Sequence, residues 1–167
     1  ILKEFHVEKP SEHFTDYVRR YTDMPYLVML EEKDDGSYVP GRFLRASDLV
    51  DGLGEENNPE WKTIAIDEAS GELTAPNGSI GYRWGEKGKW NLKQTAKEKD
   101  VNLQLSMVEK HDEVVDVAFP YFGGIEHDHF KHVEIKDVLR HKLGTRKVQL
   151  ADGSEGRVVT VYDLMVA

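Results

Sequence analysis

The sequence contains no cysteine. The chain therefore holds no disulfide, offers no thiolate nucleophile and supplies no thiolate to an iron–sulfur cluster. A basic excess is also missing: 22 Lys and Arg against 31 Asp and Glu give a formal charge of -9. That balance excludes the electrostatic footprint that nucleic acid or anionic lipid demands. No apolar run approaches the ~20 residues of a membrane-spanning helix, so direct membrane insertion is not expected. The chain begins at Ile1 without an initiator Met or a targeting segment and stops on the apolar run Met165–Ala167, which reads as a piece of a longer polypeptide.

What is present is a chain of 167 residues, long enough to bury a core of its own. The first helix signal is the firmest. Ser11 follows Pro10 as a candidate N-cap, Glu12 suits the positive helix start, and Phe14, Tyr17, Val18 and Tyr21 repeat at helical spacing, with Arg19 and Arg20 in the last turn. Pro25 stops the helix. Tyr26 to Leu30 then reads as a strand turned back at Asp35-Gly36 toward Tyr38, Val39 and Phe43. Ser47 is expected to cap a brief helix with Leu49, Val50 and Leu53 on one face, ended by Gly54.

The stretch from Asn57 to Asn91 carries Trp61, Trp84 and Trp90. A short apolar run, Thr63 to Ile66, meets a turn at Ser70-Gly71; a second run leads to Asn77-Gly78 and a glycine-punctuated aromatic segment. The spacing predicts an antiparallel ribbon over residues 63 to 84 turning at Asn77-Gly78. Lys93 to Asp100 is polar without period and reads as a mobile loop or frayed helix. Val101, Leu103 and Leu105, then Val115, Val117 and Phe119, alternate as strands until Pro120 and Gly123-Gly124. His132 to Leu143 fits strand or helix. Lys147 to Leu150, the Asp152-Gly153 turn and Arg157 to Val161 form a third hairpin, and Tyr162 to Ala167 begins a helix. The expected class is α+β: short β-hairpins, an N-terminal helix and one or two further short helices.

Few residues point to chemistry. Glu126-His127-Asp128-His129-Phe130-Lys131-His132 groups three imidazoles, which are good zinc or nickel ligands. No regular conformation aligns His127, His129 and His132, so this is a solvated loop that takes up adventitious metal at most. Gly78 to Gly85 lacks the strand, GxGxxG and helix order of a dinucleotide loop. Arg83, between aromatic rings, has the chemistry for a cation-π contact or an anion. His6, His13, His111 and His141 are scattered, with no Ser/His/Asp arrangement, and the carboxylates read as a solvated surface. The expected catalytic, cofactor-binding and metal-binding residues are therefore none.

The runs Phe14 to Pro25, Glu56 to Thr63, Gly78 to Leu92, Phe119 to Gly124, Leu150 to Ser154 and Val161 to Leu164 resemble the alpha (catalytic) subunits of membrane-bound respiratory nitrate reductases, members of the molybdopterin oxidoreductase family. The resemblance covers essentially the whole chain. It implies a parent that reduces nitrate to nitrite with a bis-molybdopterin guanine dinucleotide cofactor and a 4Fe-4S cluster. Electrons would come from quinol through beta (iron–sulfur) and gamma (haem membrane) subunits at the cytoplasmic face of the inner membrane. It further implies that residues 1–25 are a helical lead-in shared across the family and residues 26–167 a mostly β insertion peculiar to the nitrate reductase branch. The family's molybdenum-ligating aspartate and its cluster ligands match no position here, so no cofactor is expected on this segment. The expected role is scaffold or subunit surface; the alternative is a free-standing, non-enzymatic interaction domain.

Overall fold

A computed structural model of the chain describes residues 11–77, 94–108, 110–119 and 139–167. Helix α1 runs Glu12–Tyr21, its start fixed by the Ser11 hydroxyl accepting the Phe14 N–H at 3.3 Å. Thr22 breaks away extended and its hydroxyl donates to the Val18 carbonyl at 2.6 Å, closing the last turn ahead of Pro25.

The centre is a closed barrel built from β1 (Leu27–Glu32), β2 (Tyr38–Phe43), β7 (Glu113–Phe119), β8 (Leu139–Gln149) and β9 (Glu155–Thr160), joined in that order with β9 returning to β1. The neighbours pair antiparallel except β2 with β7, which run parallel and meet at Tyr38 and Val117. Parallel strands need a long crossover, and residues 44 to 112 supply it. Both expected hairpins of the barrel are present: Gly36 and Gly153 turn them with φ of 78° and 85°. The ambiguous stretch before Leu143 is strand from Leu139 onward. What hairpin reasoning did not supply is the closure of these strands into one barrel.

Alternation explains the core. Leu30, Val115, Val117 and Val159 fill one side, with Tyr38, Phe119, Leu143 and Leu164 against them. The opposite side of β1 and β9, through Leu27 and Val158, is covered by the crossover's Leu44, Ala46, Leu49, Ile64, Ile66, Ala75 and Met107. At the junction a ring of backbone bonds links three fully buried residues: Leu27 N–H to the Ile64 carbonyl, Leu44 to Leu27, and Ile64 to Leu44, at 2.8–3.0 Å. Helix α2 (Val161–Val166) follows β9 and packs through Tyr162 on Val18 and Leu105, tying α1 to the barrel.

Three expectations are corrected within the crossover. The brief helix is a pair of 3-10 turns, Ala46–Asp48 and Val50–Gly54, and its start is held by the Asp48 carboxylate accepting the Arg45 N–H, so Ser47 is no cap. Left-handed φ at Asp51, Gly52 and Leu53 prevents any continuous helix, burying Leu49 while leaving Val50 exposed. The polar run Lys93 to Asp100 is, from Gln94 onward, a tight hairpin: β5 (Thr95–Ala96) pairs with β6 (Lys99–Asp100) around Lys97 and Glu98, at φ 47° and 64°. Positive φ at both central residues is the primed-turn geometry that matches strand twist. The ribbon after Thr63 joins β3 (Ala65–Ile66) to β4 (Leu73–Thr74) around the turn expected at Ser70-Gly71. Asn77 donates its N–H to the Thr95 carbonyl, and Gly78, with the expected Asn77-Gly78 turn and the aromatic segment behind it, lies outside the described residues. Leu103 bridges to Asp67 and Leu105 is buried, but with Gln104 buried as well the stretch is extended chain rather than an alternating strand.

Candidate functional surface

The polar side of α1 faces Asp67, Ala69, Gln94, Asp100, Val101 and Asn102 across an open cleft of about 1310 Å³. Arg19 reaches over it to Glu68 at 3.0 Å, and the same carboxylate accepts the Asn102 amide at 2.8 Å. Arg20 pairs within the helix to Asp16 at 2.8 Å. Asp67 accepts the Ser70 hydroxyl and N–H, which hold its carboxyl below the usual range. Paired charges and hydrogen-bonded carboxylates give a contact surface. Neither a nucleophile with a base nor a group of three metal-ligating side chains is found among the described residues.

Sequence reasoning read the carboxylates as solvated, and Asp163 corrects it. Thr160 caps α2 by accepting the Asp163 N–H at 3.1 Å. That places the Asp163 carboxylate in the interior, where it accepts the Ser106 hydroxyl at 2.6 Å and the Met107 N–H at 2.7 Å. Burial raises its pKa against the opposing pull of those hydrogen bonds. The Thr160-Val161-Tyr162-Asp163 spacing, a capping-box pattern, was the available signal. The group clips the crossover to α2.

A second inward charge sits on β9. Arg157 lies over the Tyr38 ring at 5.2 Å, pairs with Glu113 at 2.9 Å and donates to Thr145 at 3.2 Å. Both terminal nitrogens of the guanidinium therefore meet an acceptor, and its plane meets a ring.

Left-handed backbone marks the third feature. Asp51, Leu53, Asn58, Lys97 and Glu98 all have positive φ, at about 1–2 kcal/mol each for non-glycine residues. The Lys97 ammonium donates to the Leu53 carbonyl at 3.1 Å, and Lys62 pairs with Glu55, so the turns brace one another. On the turn Pro59–Trp61 that follows, Trp61 stands 78% exposed.

Of the flagged histidines, His13 lines the cleft, His141 packs edge-on to Phe119 at 5.5 Å, and His111 Nδ1 lies 3.0 Å from the Met107 carbonyl. None of the three meets a serine and an aspartate together. His6, Arg83 and the Glu126-to-His132 cluster, with His127, His129 and His132, lie outside the described residues.

The described residues form a mixed α+β body in which Arg19 with Glu68 and Asp163 with Ser106 and Met107 join segments remote in sequence. No protein-family model matches the sequence. Among curated proteins the chain is 60% identical over 167 residues to respiratory nitrate reductase 2 alpha chain of Escherichia coli, and 60% identical over 169 residues to respiratory nitrate reductase 1 alpha chain of the same strain. It is 37% identical over 167 residues to the respiratory nitrate reductase alpha chain of a Bradyrhizobium species. Each match takes in 100% of this chain but only 13% to 14% of the relative. The chain is a homologue of a segment of nitrate reductase alpha chains, as the resemblance implied.

Proposed function

We propose that these residues are part of the catalytic alpha subunit of a respiratory nitrate reductase, a molybdenum-dependent oxidoreductase reducing nitrate to nitrite, and that they serve it as scaffold and subunit surface. The observation that carries this is identity of 60% sustained across the whole chain. The electrons come from quinol through beta and gamma subunits at the cytoplasmic face of the inner membrane. Among the described residues no helix is long and apolar enough to cross a membrane, which leaves anchoring to those partners. The free-standing interaction domain is the weaker reading, because the same residues recur inside relatives of which they make up only 13%.

The parent's bis-molybdopterin guanine dinucleotide and 4Fe-4S cluster find no fitting donor set among the described residues. Cysteine is absent, no group of three metal-ligating side chains occurs among the described residues, and Asp163 is closed off by its two donors. This segment's part is positional. Residues 1–25 act as the shared lead-in and residues 26–167 as the branch-specific insertion, with α1 locked to α2 through Val18 and Tyr162. Deleting residues 30 to 160 from the complete subunit tests the reading. Assembly with the partner subunits or nitrite formation with reduced viologen should be lost; undiminished assembly and turnover would refute a scaffolding role.

A further inference from the structure

Helix α1 is held to the body by few groups, most of which water can replace. Among the described residues, neither apolar cluster of the barrel takes a side chain from α1. Its own attachment is a third cluster, in which Val18, with Phe14 against it, meets Leu105, Tyr162, Met24 and Val166. On its polar side the open cleft separates it from Asp67, Ala69 and Asn102. That gap is bridged by the Arg19–Glu68 pair at 3.0 Å and by the Gln94 amide, which donates to the Arg20 carbonyl at 3.5 Å. Arg19 also keeps its Nε buried with no hydrogen-bond partner among the described residues, a cost that release into water removes.

The boundary after the helix is sharp. Thr22 is extended, with φ -128° and ψ 171°, and the chain beyond it is fixed to the barrel. Tyr26 N–H donates to the Asp23 carbonyl at 3.0 Å, Tyr162 N–H to the Met24 carbonyl at 2.9 Å and Val161 N–H to the Tyr26 carbonyl at 3.0 Å. The last two bonds carry the β1–β9 pairing past Leu27 and Thr160, and none of the three passes through α1. We propose that α1 is a strap: it lifts from the body about Thr22 while the barrel stays folded, uncovering Leu105 and Tyr162 beside the polar cleft. Once free, its ten residues are too few to stay helical in water, so lifting and melting are one event, a local opening far cheaper than unfolding the barrel. The cleft already admits solvent along the polar side, which leaves the Val18 cluster as the apolar contact to be parted. This device is independent of the parent reading.

The test is amide hydrogen exchange, resolved by NMR, on the 167-residue chain. Relative to their unstructured rates, the amides of Tyr17, Val18 and Arg19 should exchange about a hundredfold faster than the most protected of Val28, Met29, Val158 and Val159 in β1 and β9. The amides of Val161 and Tyr162 should follow the barrel. Val18→Ala should speed the α1 amides about tenfold further and leave those of β1 and β9 within about twofold. Equal protection of α1 and barrel overturns the proposal, as does an equal acceleration of both in the variant or an α1 rate that the variant leaves unchanged. Where Val18→Ala fails to fold, brief digestion of the unaltered chain with trypsin decides. Cleavage after Arg19 or Arg20 should precede any cleavage after Arg146 or Arg157 in the barrel strands, and the reverse order overturns the strap.

Discussion

Asp163 offers a sharp perturbation, because a truncating and an isosteric replacement separate its two roles. In Asp163→Ala the Met107 N–H, on a fully buried residue, loses its acceptor, a penalty of about 1–3 kcal/mol. Asp163→Asn keeps an oxygen for that N–H, and the Ser106 hydroxyl can rotate to accept from the new amide. The lost charge-assisted bond, worth about 1.5–3 kcal/mol, is offset by no longer burying an ionised carboxylate. The asparagine variant should thus lie within about 1 kcal/mol of the parent near neutral pH, and the alanine variant clearly below it. The pH dependence follows from the raised pKa, whose ordinary value is 3.8. The folded state holds the proton more tightly than the unfolded one, so this group's contribution is full below its ordinary pKa and is lost as pH rises through the folded value. Urea denaturation of parent and asparagine variant between about pH 4 and pH 7 gives the difference directly, free of other titrations. The parent's advantage should shrink on raising pH and then level. A difference that is flat or grows, or equal losses in the two variants, would refute the account.

Asp35 behaves oppositely: the Ser37 hydroxyl and N–H, with Arg140, lower its pKa to about 2. Its contribution is therefore present above 3.8 and lost as pH falls through about 2, and denaturation of Asp35→Asn should show a deficit at neutral pH that narrows across that range. Leu27→Ala, which opens a cavity at the backbone ring shared with Leu44 and Ile64, should cost about 2–5 kcal/mol in the same assay. Glu98→Gly, relieving a φ of 64° in the β5–β6 turn, should raise the thermal midpoint, with a gain of about 0.5–1 kcal/mol. Gly153→Ala, where a Cβ meets nothing within 4 Å but φ is 85°, should lose about 1 kcal/mol from backbone strain alone.

Local signals were legible where one residue type decides the geometry. Ser11 before an amphipathic run, Pro25 after it, and Gly36 and Gly153 between alternating strands each act within a few residues, and α1 and two barrel hairpins follow. The failures share a cause. Lys97 and Glu98 adopt a turn that their types disfavour, because Lys97 is held to Leu53 from a distant segment. Ser47 lost its cap to Asp48, which Arg42 fixes in place at 2.6 Å. Barrel closure depends on a parallel contact between Tyr38 and Val117 across the whole crossover, a pairing that short-range pattern does not carry. Asp163 looked like any surface carboxylate because its burial is set by Ser106 and Met107, remote in sequence. The likeness to nitrate reductase alpha chains was legible in long runs such as Phe14 to Pro25, which physical pattern alone does not interpret.

The central claim is that this segment shapes a nitrate reductase without performing its chemistry. Oxygen-atom transfer from nitrate needs a redox centre that a cofactor supplies and a protein orients; this chain has no cysteine, and no group of three metal-ligating side chains occurs among the described residues. The direct measurement takes the purified 167-residue chain and the complete alpha subunit side by side, with molybdenum analysis and nitrite formation from nitrate and reduced viologen. The complete subunit should carry molybdenum and form nitrite, while the isolated chain should carry none and leave nitrate unchanged. Nitrite formed in proportion to the isolated chain, persisting after trace metals and contaminating enzyme are removed, would contradict the account.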